Sequence, residues 1–131
     1  MARIFSTSGP CFPEEHYLLP AEERLSEARR RLLAIPGVGP ETADAILLYA
    51  GGHSTFVVDA YTLRILRRHF VIKSGAGYEA TRLLFQQHLP HDTVLFNEYH
   101  ALLVALGKKQ CRPRAACRGC PLEDLSHDER L

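Results

Sequence analysis

The sequence predicts an all-α protein, on three observations. After residue 20, apolar residues recur at helical spacing through most of the chain. The breaks between those stretches hold Gly or Pro. The run His53 to Val58 is β-branched and aromatic, but too short to found a sheet. With 131 residues the chain has room for one domain. Hydrophobic residues make up 46% and charged residues 24%, a balance that permits a core of useful size.

Residues 1–20 carry Gly9, Pro10, Pro13 and Pro20 and read as an irregular lead-in. Residues 21–34 are rich in helix formers, with Leu25, Ala28 and Leu32 on one face, and Pro36 ends that helix. Residues 41–50 form a second helix, stopped by Gly51 and Gly52. Asp59 is placed to cap a third helix over about 60–69. Gly75 and Gly77 interrupt the chain, and a fourth helix over 78–89 closes at Pro90. Asp92 is placed to cap a fifth helix carrying Leu95, Tyr99, Leu102, Leu103 and Leu106, with Gly107 as its C-terminal glycine. The expected organisation is a helical domain over 21–110, followed by a cysteine-cluster loop and tail over 111–131.

No apolar stretch approaches the ~20 residues that span a bilayer. The first ten residues lack the apolar run of a secretory signal. Membrane and secreted roles are therefore not expected, and the chain is expected inside the cell. Net charge is only +1, but it is unevenly spread. From Ala60 to Leu122 there are ten Lys and Arg against three acids. A basic half of this kind suits a phosphate backbone; it equally suits a solvated surface.

Ile35-Pro36-Gly37-Val38-Gly39-Pro40 joins the first two helices. Two glycines around one apolar residue permit a tight turn, with Val38 plugging the gap between the helices. Backbone N–H groups then face outward at the start of the second helix, where a phosphate oxygen binds without regard to base sequence. Candidate DNA contacts are Ile35, Pro36, Gly37, Val38, Gly39 and Thr42.

The run LLAIPGVGPETADAI, followed by FVVDAYTLRIL and a C-terminal cysteine cluster, resembles the helix-hairpin-helix DNA glycosylase superfamily on its endonuclease III side. The likeness runs from about Arg29 to Leu125. It implies a role in base-excision repair on double-stranded DNA, and an endonuclease III-like fold. It also implies a role for Asp59, as the Val-Asp carboxylate beside a flipped nucleotide. Breaking an N-glycosidic bond builds positive charge on the sugar, which a fixed carboxylate stabilises. As a bare sequence feature, Asp59 is also a helix N-cap.

Members that also cut the strand carry a lysine two residues past the second hairpin glycine. Here that position holds Glu41. A carboxylate cannot form the imine that strand cleavage requires, so the resemblance implies a monofunctional glycosylase that leaves an abasic site. Glu41 is either a participant in that chemistry or an acid suited to a first helical turn.

Cys111, Cys117 and Cys120 have the spacing of a family [4Fe–4S] site, whose fourth cysteine falls where this chain has Ser126. Ser126, Asp124 and His127 are alternative fourth donors; a Cys3His zinc site through His127, or a site that binds nothing, also fits. Cys11 reads as a lone thiol. Lys108, Lys109, Arg112, Arg114 and Arg118 surround the cluster as DNA-facing cations, or as a solvated loop. Tyr49, Phe70, Phe85, Phe96 and Tyr99 are expected in the core. His53, His69, His88, His91 and His100 are expected at the surface or as satisfied polar groups.

The resemblance begins near the middle of the usual family domain. The helices that complete the base pocket are therefore expected elsewhere, in missing sequence, a partner chain or a second copy, and an apolar face is expected where they dock. Besides a glycosylase, the pattern accommodates a non-catalytic DNA-binding protein and a subunit that needs a partner.

Overall fold

The computed structural model describes residues 20–131. The expected lead-in, Pro20 aside, and Cys11 lie outside the described residues. Those described hold five α-helices and no strand: α1 Ala21–Leu33, α2 Pro40–Tyr49, α3 Ala60–Arg68, α4 Tyr78–His88 and α5 Thr93–Lys109.

In α1, Glu22 and Glu23 lie in the first turn and Arg30 and Arg31 in the last, each complementing the helix dipole. Pro40 opens α2 at a position where its missing N–H costs nothing. The two helices pack through Ala28, Leu32, Ala43, Ile46 and Leu47, with Val38 of the connecting turn closing the cluster as expected.

Thr55 to Val58 run through the centre of the molecule, each no more than 1% exposed. Phe56 stacks on Phe85 with ring centroids 3.8 Å apart and meets Phe96 edge-on at 5.5 Å. Asp59 caps α3 through the Thr62 N–H, and Asp92 caps α5 through the N–H groups of Val94 and Leu95.

Three expectations are corrected. Gly107 does not end α5; it lies inside the helix, where α5 crosses α3. A Cβ there would meet Tyr61 Cβ at 2.6 Å and Cγ at 2.7 Å, so the glycine permits close approach rather than a turn. The buried side of α5 is Phe96, Leu103 and Gly107, whereas Leu102 and Tyr99 of the expected stripe are exposed. Phe70 and Tyr49 are exposed rather than core, Phe70 in a left-handed turn at φ 58°.

A buried polar network ties α1, α2 and α4 together. Asp44, fully buried, accepts from Arg29 Nε at 2.8 Å and Nη2 at 3.1 Å, from the Tyr78 hydroxyl at 2.7 Å and from the Thr55 hydroxyl at 3.1 Å. Arg29 also pairs with Glu79. Burial, and then the bond to Asp44, push the Tyr78 hydroxyl pKa well up.

Candidate functional site

Asp59 sits at the N-terminus of α3 with its side chain 12% exposed. Its Oδ1 accepts from the Thr62 N–H at 2.8 Å and the Thr62 hydroxyl at 3.0 Å. Its Oδ2 lies 3.1 Å from His100 Nε2, on α5. His100 Nδ1 in turn lies 2.6 Å from the Tyr49 hydroxyl, at the end of α2. One proton arrangement satisfies the whole chain: Tyr49 donates to Nδ1, and the Nε2–H donates to Asp59. Burial opposes ionisation of Asp59, but the His100 and Thr62 bonds outweigh it and hold the carboxyl below its usual range. Burial, and then the charge of Asp59, push the Tyr49 hydroxyl up.

From sequence, His100 is expected at the surface or as a satisfied polar group; it is the latter, half-buried, and its tie to Asp59 was not foreseen. A signal was available: Phe96, His100, Leu103 and Gly107 share one helical face, and three of them are buried. Tyr49 carried no comparable signal.

The hairpin is presented to solvent. Ile35, Pro36, Gly37, Gly39, Glu41 and Thr42 are exposed, and Val38 is half-buried. Gly37 has φ 86°, a conformation that requires glycine. Gly39 is extended as the N-cap of α2, with nothing near the place a side chain would occupy. The first N–H groups of α2 therefore point outward beside an unobstructed backbone. Glu41 occupies the first turn of α2.

The basic half is less available than its composition suggests. Arg64 donates to the Cys111 and Gly107 carbonyls. Arg67 donates to the Ala76 carbonyl, and Arg82 pairs with Glu79. Arg68, 3% exposed, donates to the carbonyls of Arg112 at 2.6 Å and Pro113 at 2.7 Å, and to Cys111 Sγ at 3.3 Å. These four arginines build the fold. Lys108, Lys109, Arg112, Arg114 and Arg118 all remain exposed.

Cys111, Cys117 and Cys120 line one small pocket between the ends of α3 and α5, together with His127. None of the three is in a disulfide. Three thiols and an imidazole are soft and borderline donors of the kind that hold iron–sulfur clusters or zinc, so the residues fit such a group. Arg68 Nη1 donates to Cys111 Sγ, and the Leu122 N–H donates to Cys120 Sγ at 3.4 Å. Ser126 is exposed; its carbonyl oxygen lies 3.2 Å from His69 Nδ1. Asp124 is exposed too.

A profile of the helix-hairpin-helix motif matches residues 31–49. A Methanocaldococcus jannaschii protein predicted to be a DNA repair glycosylase is 49% identical over 97 residues, covering 74% of this chain and 44% of that protein. The bovine endonuclease III-like protein 1 is 36% identical over 92 residues, 68% of this chain and 30% of its own length. The structure of an endonuclease III in a non-covalent complex with DNA superposes with a TM-score of 0.68 over 95% of this chain and 72% of that one, at 18% identity. The chain is similar to the endonuclease III-like branch of the helix-hairpin-helix DNA glycosylase superfamily. This endonuclease III-like chain spans less than half the length of the two curated relatives named. Its five helices have the fold of endonuclease III. Among the described residues no helix is long and apolar enough to cross a membrane.

Proposed function

We propose that the chain acts in base-excision repair as a monofunctional DNA glycosylase, on duplex DNA inside the cell. The observation that carries this reading is Asp59. It is a shielded carboxylate tethered by His100 and Thr62 and kept ionised, on a chain that also presents an exposed hairpin.

The mechanism follows from those parts. N–H groups at the start of α2 take a backbone phosphate oxygen, while Lys108, Lys109, Arg112, Arg114 and Arg118 follow the strand. The target nucleotide leaves the stack and its sugar approaches Asp59. As the bond between C1′ and the base nitrogen breaks, the carboxylate stabilises the positive charge that develops on the sugar. Water adds to C1′; its proton is balanced by the one the departing base takes up, and an abasic site remains. Glu41 offers no amine, so no imine forms and the strand stays intact. Cys111, Cys117 and Cys120 would hold a metal centre, which supplies structural rigidity to the cationic loop rather than reacting itself.

A second reading is a DNA-binding unit whose base pocket is completed by further sequence, a partner chain or a second copy. It is favoured by the share of the relatives the chain spans, and by Val94 and Leu102, 71% and 67% exposed on α5.

The test is incubation with duplex oligonucleotides bearing a panel of damaged and mismatched bases, each sample split and half treated with hot alkali. Breaks only after alkali support the first reading. Breaks before alkali contradict the monofunctional assignment. DNA binding without breaks leaves the second.

A further inference from the structure

The cysteine segment departs from a four-thiolate pattern at its last position, where the sequence offers Ser126, Asp124 or His127. The structure separates these candidates. His127 lines the pocket with Cys111, Cys117 and Cys120, whereas Ser126 and Asp124 are exposed and do not.

The orientation of His127 is also fixed. Its Nδ1 lies 2.7 Å from the Leu125 carbonyl oxygen, which can only accept, so the proton is on Nδ1. Nε2, which lies 3.9 Å from Glu129 Oε1, then carries the lone pair that can bind a metal. A ligand histidine is ordinarily oriented in this way, with one nitrogen donating to a carbonyl and the other on the metal. A donor atom of His127 lies within 4.8 Å of Cys117 Sγ.

Two further contacts mark the sulfurs as acceptors. Arg68 donates to Cys111 Sγ and the Leu122 N–H donates to Cys120 Sγ. Hydrogen bonds aimed at ligand sulfurs are part of how a protein tunes an iron–sulfur centre. Cys111 and Cys120 also fall outside the set whose donor atoms all lie within 4.8 Å of one another, which is Cys117, His127 and Glu129. In a tetrahedral zinc site all four donors lie about 3.8 Å apart, as Zn–S bonds of about 2.3 Å require. Donors that do not all lie within 4.8 Å of one another suit a cluster of several metal atoms better than a single ion.

We propose that His127 Nε2 is the fourth donor of this pocket, and that the chain holds an iron–sulfur cluster through three cysteines and one histidine. The proposal concerns this chain's ligands and is independent of whether the chain excises bases.

The test uses the full chain purified without oxygen, analysed for iron, acid-labile sulfide and zinc. The reduced protein is then examined by pulsed electron paramagnetic resonance. The expected result is iron and sulfide with little zinc, and a ¹⁴N coupling from a directly bound imidazole. Ser126→Ala keeps that coupling. His127→Cys retains a cluster, loses the nitrogen coupling and moves the reduction potential downward, since imidazole in place of thiolate raises it. Any of three results overturns the proposal: zinc as the only metal, a cluster without ¹⁴N coupling in the unaltered chain, or no metal after reconstitution with iron and sulfide. The spectroscopy on the unaltered chain decides the matter even if His127→Cys fails to fold.

Discussion

Replacing Asp44 with alanine removes the centre of the network that anchors the hairpin helices to α4. Four hydrogen bonds from three partners are lost: two from Arg29, one from Tyr78 and one from Thr55. Removing one member of a buried ion pair ordinarily costs about 3–5 kcal/mol, because the other charge is left unpaired. Here Arg29 is 15% exposed and keeps Glu79, so its share falls to about 2 kcal/mol. The Tyr78 hydroxyl, left without its acceptor, adds about 1–2 kcal/mol. The expected loss is about 3–4 kcal/mol, a large fraction of the ~5–15 kcal/mol that holds a domain of this size together. Urea denaturation of Asp44→Ala beside the unaltered chain measures it, as a lower midpoint at unchanged slope. Because Asp44 lies four residues into α2, the loss also loosens the hairpin, and non-specific DNA affinity falls even where the protein is still folded. A stability change below about 1 kcal/mol would refute the reasoning: Asp44 would not be the anchor its contacts describe.

Gly107→Ala forces a methyl into the Tyr61 ring and should cost about 1–3 kcal/mol by overpacking, read as a lowered Tm; an unchanged Tm would mean that α3 and α5 separate easily. Asp59 has a folded pKa below its unfolded value of about 3.9, so its contribution to stability is complete above that value and is lost as pH falls through the folded one. The stability of the unaltered chain relative to Asp59→Asn should therefore shrink between neutral pH and pH 3 in paired urea titrations. The five exposed cations of the C-terminal segment predict a log–log salt slope for DNA binding of up to about −4.5. Neutralising Arg112, Arg114 and Arg118 to glutamine should make that slope shallower by about 3, measured by fluorescence anisotropy.

Much of the fold was legible in the sequence, and the reasons are local. Asp59 and Asp92 cap helices by bonding N–H groups two or three residues on, a relation carried entirely by neighbouring residues. Gly37 needs glycine because of its own backbone angle. What stayed hidden depends on packing between distant residues. Gly107 looks like a helix terminator until Tyr61 is placed against it. The apolar residues of α5 surround the helix, so spacing alone could not say that Phe96 and Leu103 face inward while Leu102 faces out. Arg64, Arg67, Arg68 and Arg82 count as surface charge in a composition, yet each is spent inside the fold. Asp59 could be singled out only by its resemblance to a family motif; its tether to His100 and Tyr49 joins residues 41 and 51 positions apart. The cysteine spacing pointed to a metal, whereas selecting His127 over Ser126 required knowing which of two adjacent side chains turns inward.

In the proposed reaction Asp59 performs the chemistry and not the binding. The most direct measurement compares the unaltered chain with Asp59→Asn on one substrate, recording DNA affinity and alkali-labile sites in the same samples. Near-equal affinity is expected, with a loss of alkali-labile sites of at least a hundredfold in the variant, on the order of what fixed electrostatic stabilisation supplies. Equal base release by both proteins would contradict it.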